Sequence, residues 1–266
     1  MASFSVVSNV SAINAQANLT VTNVGLQKAL ERLSSGFRIN RSGDDAAGLV
    51  VANTYRSEVA VLTQGIRNAS DGLSELQIKD GALNNIALLL DRMASLAAQS
   101  ASESSSVDRT VLDAEFQDVI AEIDREAAVA GLDASQAFSV FVSSDGADGV
   151  IAGTVSAAAA ADLGVSALTI DTAANAATAV ATISTAVGTL GTAQATVGTL
   201  ENRLQFAINL AQTQAVNTKA AESRIRDANI AEESANLTRY NILTQSGIAA
   251  LAQANAQSGA VLALLR

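Results

Sequence analysis

Few residues in this chain could do covalent chemistry. There is no histidine and no cysteine. That excludes Ser-His-Asp and Cys-His nucleophile systems, His-ligated metal centres and disulfides. The only lysines are Lys28, Lys79 and Lys219. None stands three residues after a serine, so the Ser-x-x-Lys arrangement is absent. No GxxxxGK[ST] or GxGxxG phosphate loop occurs. Asp145 and Asp148 lie in SSDGADG, without the D-x-D-x-D-G rhythm and closing Glu of a calcium loop. An ordinary turn accounts for them. Two carboxylates could act as an acid/base pair, but nearly every Asp and Glu falls in a helical, solvated pattern. The sequence therefore points to no enzyme activity and no catalytic, cofactor-binding or metal residues. The formal net charge of -10 argues against a nucleic-acid partner, because phosphate contacts need a basic surface.

The elements that carry these residues read as long helices. The absence of proline removes the strongest helix breaker. From Met1 to Gln27 and from Tyr240 to Leu265 there is no charged side chain. Neither end reads as a secretion signal or a membrane span. The first has no basic residue before Lys28, and Asn and Gln interrupt both. Val6, Val10, Ile13, Ala17, Val21 and Val24 recur at steps of three and four, and Leu26, Leu30, Leu33 and Phe37 extend the stripe. The segment SSGFRINRSGDDAAG breaks it. Arg38 and Arg41 there sit just before Asp44 and Asp45, a candidate spoke between two packed layers, with Asp44 or Ser42 capping the next helix. A heptad follows through Ile66, Ala69, Leu73, Leu76, Asp80, Leu83, Ala87, Leu90, Ala94 and Ala97. It ends at a Ser-rich loop, and another helix runs from about Val107 or Asp108 to Gly131.

Residues 133–175 differ. Phe138, Val140, Phe141 and Val142 precede a Gly/Asp turn, and Val150, Ile151 and Val155 follow it, which predicts a β-hairpin. Ala167–Asp171 reads as a second extended piece. Helix resumes near Ala173 and is expected to continue through AAESRIRDANIAEESANL. In the last segment Ile248, Leu251, Asn255, Ser258, Leu262 and Leu265 keep the same three-four step. The expected fold is mainly α, a long antiparallel helical coiled-coil bundle with a small β-hairpin region and paired N- and C-terminal helices. A lone pair of Ala-, Val- and Ser-rich tips buries too little to offset its ordering. The tips should therefore pack against other copies, through Val6, Val10, Ile13, Val24, Leu30, Leu33, Ile248, Leu251, Leu262 and Leu265.

Three stretches carry a family resemblance: LERLSSGFRINRSGDDAAGLVVAN at 30–53, IRNASDGLSELQIKDGALNNI at 66–86, and SRIRDANIAEESANLTRYNILTQSGIAALAQANAQSGAVLALLR at the C-terminal end. Together they resemble the two terminal signatures of bacterial flagellin. The resemblance implies a subunit that polymerises into the extracellular flagellar filament for swimming, in a minimal form. Residues 1–44 and 224–266 would form the inner, filament-core domain. Residues 45–223 would form the outer tube, including the variable hairpin region 133–175. It further implies secretion by flagellar type III export, an export chaperone for the C-terminal helix, and filament-cap and hook–filament junction partners, with neither cofactor nor membrane insertion. The junction protein itself is the alternative identity. Many flagellins are read by a host Toll-like receptor, and Arg92, Leu96 and Glu115 match the residue types of that contact. Asp91 and Ser95 depart from the family's Gln and Glu, and a pair of solvated helix-face charges is the plainer account of Arg92 and Glu115. Ser143, Ser144 and Thr154 are candidate O-glycosylation positions, as in some flagellins.

Overall fold

A computed structural model describes residues 8–102, 108–143 and 146–264, with no side-chain account of 147 and 258–264. The described helices are α1 (Val10–Ser35), α2 (Ala46–Ala101), α3 (Arg109–Val129), α4 (Ala173–Arg226) and α5 (Ile230–Leu264), with one hairpin of β1 (Gln136–Phe141) and β2 (Val150–Val155). The chain divides into two compact units. Unit 1 is Met1–Ser57 with Thr218–Arg266, and unit 2 is Glu58–Asn217. The helices α2 and α4 contribute residues to both. A mainly helical fold with a small antiparallel hairpin and paired terminal helices is what the sequence pattern leads one to expect.

In unit 1, Asn9 caps α1 by accepting from the Ala12 N–H at 3.0 Å. The helix ends at Gly36, whose φ of 76° and N–H donation to the Arg32 carbonyl close a left-handed C-cap. The start of α2 corrects one expectation. Its cap is Asp45, which accepts from Gly48 N–H at 2.9 Å, rather than Asp44 or Ser42. The expected continuous helix through residues 220–237 is also interrupted. α4 stops at Arg226, Asp227 pairs with Phe37 in an isolated antiparallel bridge, and Asn229 caps α5 by accepting from Ala231 N–H at 3.1 Å.

In unit 2, α2, α3, α4 and the hairpin share one apolar core. The hairpin pairs Gln136 with Val155 through to Phe141 with Val150. Phe138 and Val140 face inward and Phe141 outward, the period-two alternation of a half-buried strand. The seam of α2 is shifted from its expected register. Ala69, Leu76, Leu83, Leu90 and Ala97 are buried as expected, but their partners in the heptad are Gly65, Gly72, Lys79, Ile86, Met93 and Ser100. Ile66, Leu73, Asp80, Ala87 and Ala94 are half-buried. Composition hides this seam, because Gly, Lys and Ser do not look like core. Gly65 and Gly72 are there because the hairpin lies on them. A Cβ at Gly72 would stand 2.7 Å from Val140 Cγ2. Lys79 keeps its ammonium paired with Glu75, one turn away, at 2.8 Å. The segment 167–171 is not a strand. Its backbone makes no strand pairing: Ile170 N–H donates to Asp113 at 2.7 Å, Gln117 donates to the Leu168 carbonyl at 2.9 Å, and Leu168 N–H donates to the nearby Val165 carbonyl at 3.2 Å.

Candidate polymerisation face

The helices α1 and α5 run antiparallel. Arg32 meets Glu233, Tyr240 covers Gly25, and Leu19 covers Gly247. Asn9 donates to the Ala254 carbonyl at 2.9 Å. A Cβ at Gly25 would lie 2.6 Å from the Tyr240 ring, so the ring takes the space that a side chain at position 25 would need. Gly25 and Gly247 stand within otherwise regular helical patterns. That placement was the signal in the sequence that could have found this contact.

The side of α1 turned to α5 is half-buried at Ala12, Ala15, Leu19, Thr22, Leu26 and Leu33, and Ala29 is buried. The large apolar side chains lie elsewhere. Val10, Ile13 and Val24 are about 60% exposed, Val21 is 72% exposed, and Leu30 is 48% exposed. On α5, Ile242, Leu243 and Ile248 are exposed too, and Leu251 is half-buried. Val6 and Leu265 lie outside the described residues, as does the side chain of Leu262. Among the described residues of unit 1, only Ala29, Ile39 and Ala52 are buried apolar side chains. Of these only Ala29 lies on α1 or α5, Ile39 standing in the loop after α1 and Ala52 on α2, while a stripe of valine, isoleucine and leucine faces outward. Burying each exposed side chain would contribute about 1.5–3 kcal/mol. No charged side chain lies between Met1 and Gln27, so none in that segment opposes the burial of Val10, Ile13, Val21 and Val24.

The breaks between helices are tightly held. Asp44 accepts from Lys28 at 2.9 Å and from the backbone N–H groups of Asn40 and Arg41 at 3.2 and 3.1 Å. The Lys28 bond first, then these N–H groups, hold its carboxyl at about 2, below the ordinary 3.8. Arg41 pairs with Glu31 at 2.8 Å. Arg38 donates to the Ile225 carbonyl at 2.7 Å through its guanidinium and to the Arg226 carbonyl at 2.6 Å through its backbone. The Arg226 guanidinium lies 4.2 Å over the Phe37 ring, a cation–π contact. Asp44 therefore locks the loop after α1, Asp45 starts α2, and Arg38 ties residues 36–39 to the end of α4.

Of the residues proposed to meet a receptor, Arg92 and Glu115 are exposed and ion-paired with each other across α2 and α3. Leu96 is 1% exposed, inside the core. Thr154 is exposed on β2 and Ser143 half-buried after β1. Ser144 lies outside the described residues. Among the described residues, no group of three or more Asp, Glu, His or Cys side chains could hold a metal ion.

Residues 6–139 match the bacterial flagellin N-terminal helical region, and residues 180–265 match the bacterial flagellin C-terminal helical region. The chain belongs to the bacterial flagellin family. It is 37% identical to a flagellin of Halalkalibacterium halodurans and 36% identical to flagellin FlaB1 of Treponema pallidum, over 97% of this chain and 98% of each relative. A crystal structure of Bacillus cereus flagellin is similar at 29% identity and a TM-score of 0.47, over 59% of this chain and 94% of that one. The near-equal lengths fit a minimal flagellin with two domains. Residues 140–179, which fall between the two matched regions, hold β2, Ser143 and Thr154.

Proposed function

We propose that this chain is the structural subunit of a bacterial flagellar filament, and that unit 1 completes its core only when copies assemble. The observation that carries this reading is the mismatch in unit 1 between three buried apolar side chains and an exposed apolar stripe on both α1 and α5. Ordering a helix costs about 1–2 kcal/mol per residue in backbone entropy, and so small a core cannot offset that over two long helices. Neighbouring copies supply the missing surface by mass action. Val10, Ile13, Val24, Leu30 and Ile248 are the described side chains that would enter the shared core, and Leu33 and Leu251 hold the pair together from its edge. Unit 1 would form the inner layer and unit 2 the outer tube.

The remaining partners follow from the family resemblance. The chain would leave the cell through the flagellar export apparatus, held by a chaperone on its C-terminal helix, and assemble outside the cell between a junction protein and a filament cap. A host receptor that reads α2 and α3 would meet Arg92 and Glu115 rather than the buried Leu96. The test is electron microscopy of the purified chain after addition of filament seeds. Long tubular filaments are expected. Rods of fixed length or soluble dimers would contradict the reading, and fixed-length rods would favour the junction protein.

A further inference from the structure

The hairpin of unit 2 has two outer edges, and they are guarded unequally. Val142 N–H donates to the Gly149 carbonyl at 2.8 Å. Antiparallel pairs alternate between bonded and non-bonded. In this register Gln136, Phe138 and Val140 therefore bond to β2, while Ala137, Ser139 and Phe141 turn their N–H and C=O groups outward. Two side-chain bonds agree with that assignment. Asn68 on α2 donates to the Phe141 carbonyl at 3.2 Å, and Arg203 on α4 donates to the Ala152 carbonyl of β2 at 3.1 Å. Edge strands are ordinarily protected by charge, proline or a bulge. The β2 edge carries the Arg203 guanidinium. β1 reads QAFSVF, with neither charge nor proline, and Phe141 is 46% exposed.

Beside the β1 edge lies a groove of about 350 Å³, bounded by Asn68, Asp71 and Glu75 of α2 and by Ser139 and Phe141 of β1. Val140 settles over Gly72, which brings the strand edge down beside the helix. Asp71 and Glu75 are both exposed. Glu75 gives one oxygen to Lys79, and its side chain stays 56% exposed. Arg67, the nearest cation along α2, is turned to Gln64.

We propose that an extended basic segment of another protein adds to β1 as a third strand. Its main chain pairs with Ala137 and Ser139, and Asp71 and Glu75 select its side chains. The spacing fits. Four residues on α2 rise about 6 Å, and alternate residues on one face of a strand stand about 6.8 Å apart. On the added strand, residues that bond to Ser139 share its outward face, so those between them turn towards α2. The fitting sequence is Lys/Arg-x-Lys/Arg, with a β-branched residue at x. A second copy of this chain does not fit. Unit 2 has six Lys or Arg against nineteen Asp or Glu, a net charge of -13. The only Lys/Arg-x-Lys/Arg in the sequence is Arg224-Ile225-Arg226. It lies within α4, with Arg226 held over Phe37.

The test is fluorescence anisotropy of the purified full chain with a labelled, end-blocked peptide, TRVRVT. Saturable binding is expected, and it should weaken as salt rises. TRPRPT keeps both charges but lacks the two N–H groups that reach β1, and should bind about 10-fold more weakly or worse. Ser139→Pro removes an N–H that the hairpin does not use, at an edge position that tolerates proline. It should lose peptide binding while keeping the circular dichroism and thermal unfolding of wild type. Asp71→Asn/Glu75→Gln, which leaves the strand untouched, should weaken binding by about 3- to 10-fold. Asp91→Asn/Asp118→Asn removes the same charge from exposed positions elsewhere on α2 and α3 and should bind as wild type. Equal binding of the two peptides, or wild-type affinity in both groove variants, would overturn the added strand, as would a wild-type chain that binds neither peptide. Self-association of the full chain that is lost in Ser139→Pro, without peptide binding, would assign the edge to a second copy instead. Seeded polymerisation is read separately, so the filament reading stands or falls on its own.

Discussion

Adding one methyl group at Gly65 should break the seat of the hairpin. Gly65 lies on the buried side of α2, and a Cβ built there stands 1.8 Å from the Val142 carbonyl oxygen and 2.5 Å from its carbonyl carbon. Real Cβ contacts essentially never fall under 3.0 Å, so the strand end must move by about 1.2 Å. The obstacle is backbone and cannot rotate away. Two hydrogen bonds hold it: Val142 N–H to the Gly149 carbonyl at 2.8 Å, and Asn68 to the Phe141 carbonyl at 3.2 Å. Overpacking costs about 1–3 kcal/mol, and the upper end applies where backbone must give way. The gain from replacing a helical glycine, about 0.5–1 kcal/mol, offsets part of it. The expected net loss for Gly65→Ala is about 2 kcal/mol, which lowers Tm by roughly 4–8 °C in a domain of this size. Gly81→Ala is the internal control. It lies on the same helix with nothing within 4 Å of its Cβ, and it should gain about 0.5–1 kcal/mol. Thermal unfolding followed by circular dichroism measures both. If Gly65→Ala is as stable as wild type, or if both variants shift the same way, the hairpin does not seat on α2 as described.

Other outcomes follow from unit 1 and from α4. Asp44 has a folded pKa of about 2 against 3.8 unfolded. Its contribution is complete above about pH 4 and is lost as pH falls towards 2. Asp44→Asn should cost about 1–2 kcal/mol at pH 7 and reduce the acid loss, as read from Tm against pH. Arg32→Met leaves the Glu233 carboxylate, whose side chain is 10% exposed, without its cation. It should cost about 2–4 kcal/mol, and the double variant Arg32→Met/Glu233→Gln should recover part of that in a denaturation cycle. Burial first, and then the nearby Asp80 charge, raise the Glu201 carboxyl above its ordinary 4.5. A raised carboxyl weakens the fold above its folded pKa, and the penalty is relieved as pH falls through that value. Glu201→Gln should therefore raise Tm at pH 7 and shrink the gain on mild acidification.

Much of this was legible in the residues. The period of α2 was visible because leucine and alanine repeat at one heptad position from Ala69 to Ala97. The hairpin was visible because alternating apolar residues flank a Gly/Asp turn. The other half of the α2 seam was not, since Gly65, Gly72, Lys79 and Ser100 are set by what lies on them rather than by hydrophobicity. The break at Asp227 carries neither Gly nor Pro. Its signal was Asn229 followed three residues later by Glu232, the start pattern of a helix. The loop 167–171 looked extended because Leu168 and Ile170 alternate, yet its backbone bonds to side chains of α2 and α3, Ser100, Asp113 and Gln117, rather than to a strand. On the candidate face, the three-four pattern of α1 correctly singled out side chains that share a face. Periodicity alone could not say that Val10, Ile13 and Val24 face away from α5, because the α1–α5 contact sets Tyr240 over Gly25 and Leu19 over Gly247 instead.

The most direct measurement is sedimentation of seeded polymer formed by Val24→Glu/Ile248→Glu beside the wild type. Both positions are more than half exposed in the single chain, so the monomer should keep its helicity. If unit 1 completes its core only between copies, the wild type pellets as filament and the double variant stays soluble at every accessible concentration. Equal pelleting of the two would contradict the account.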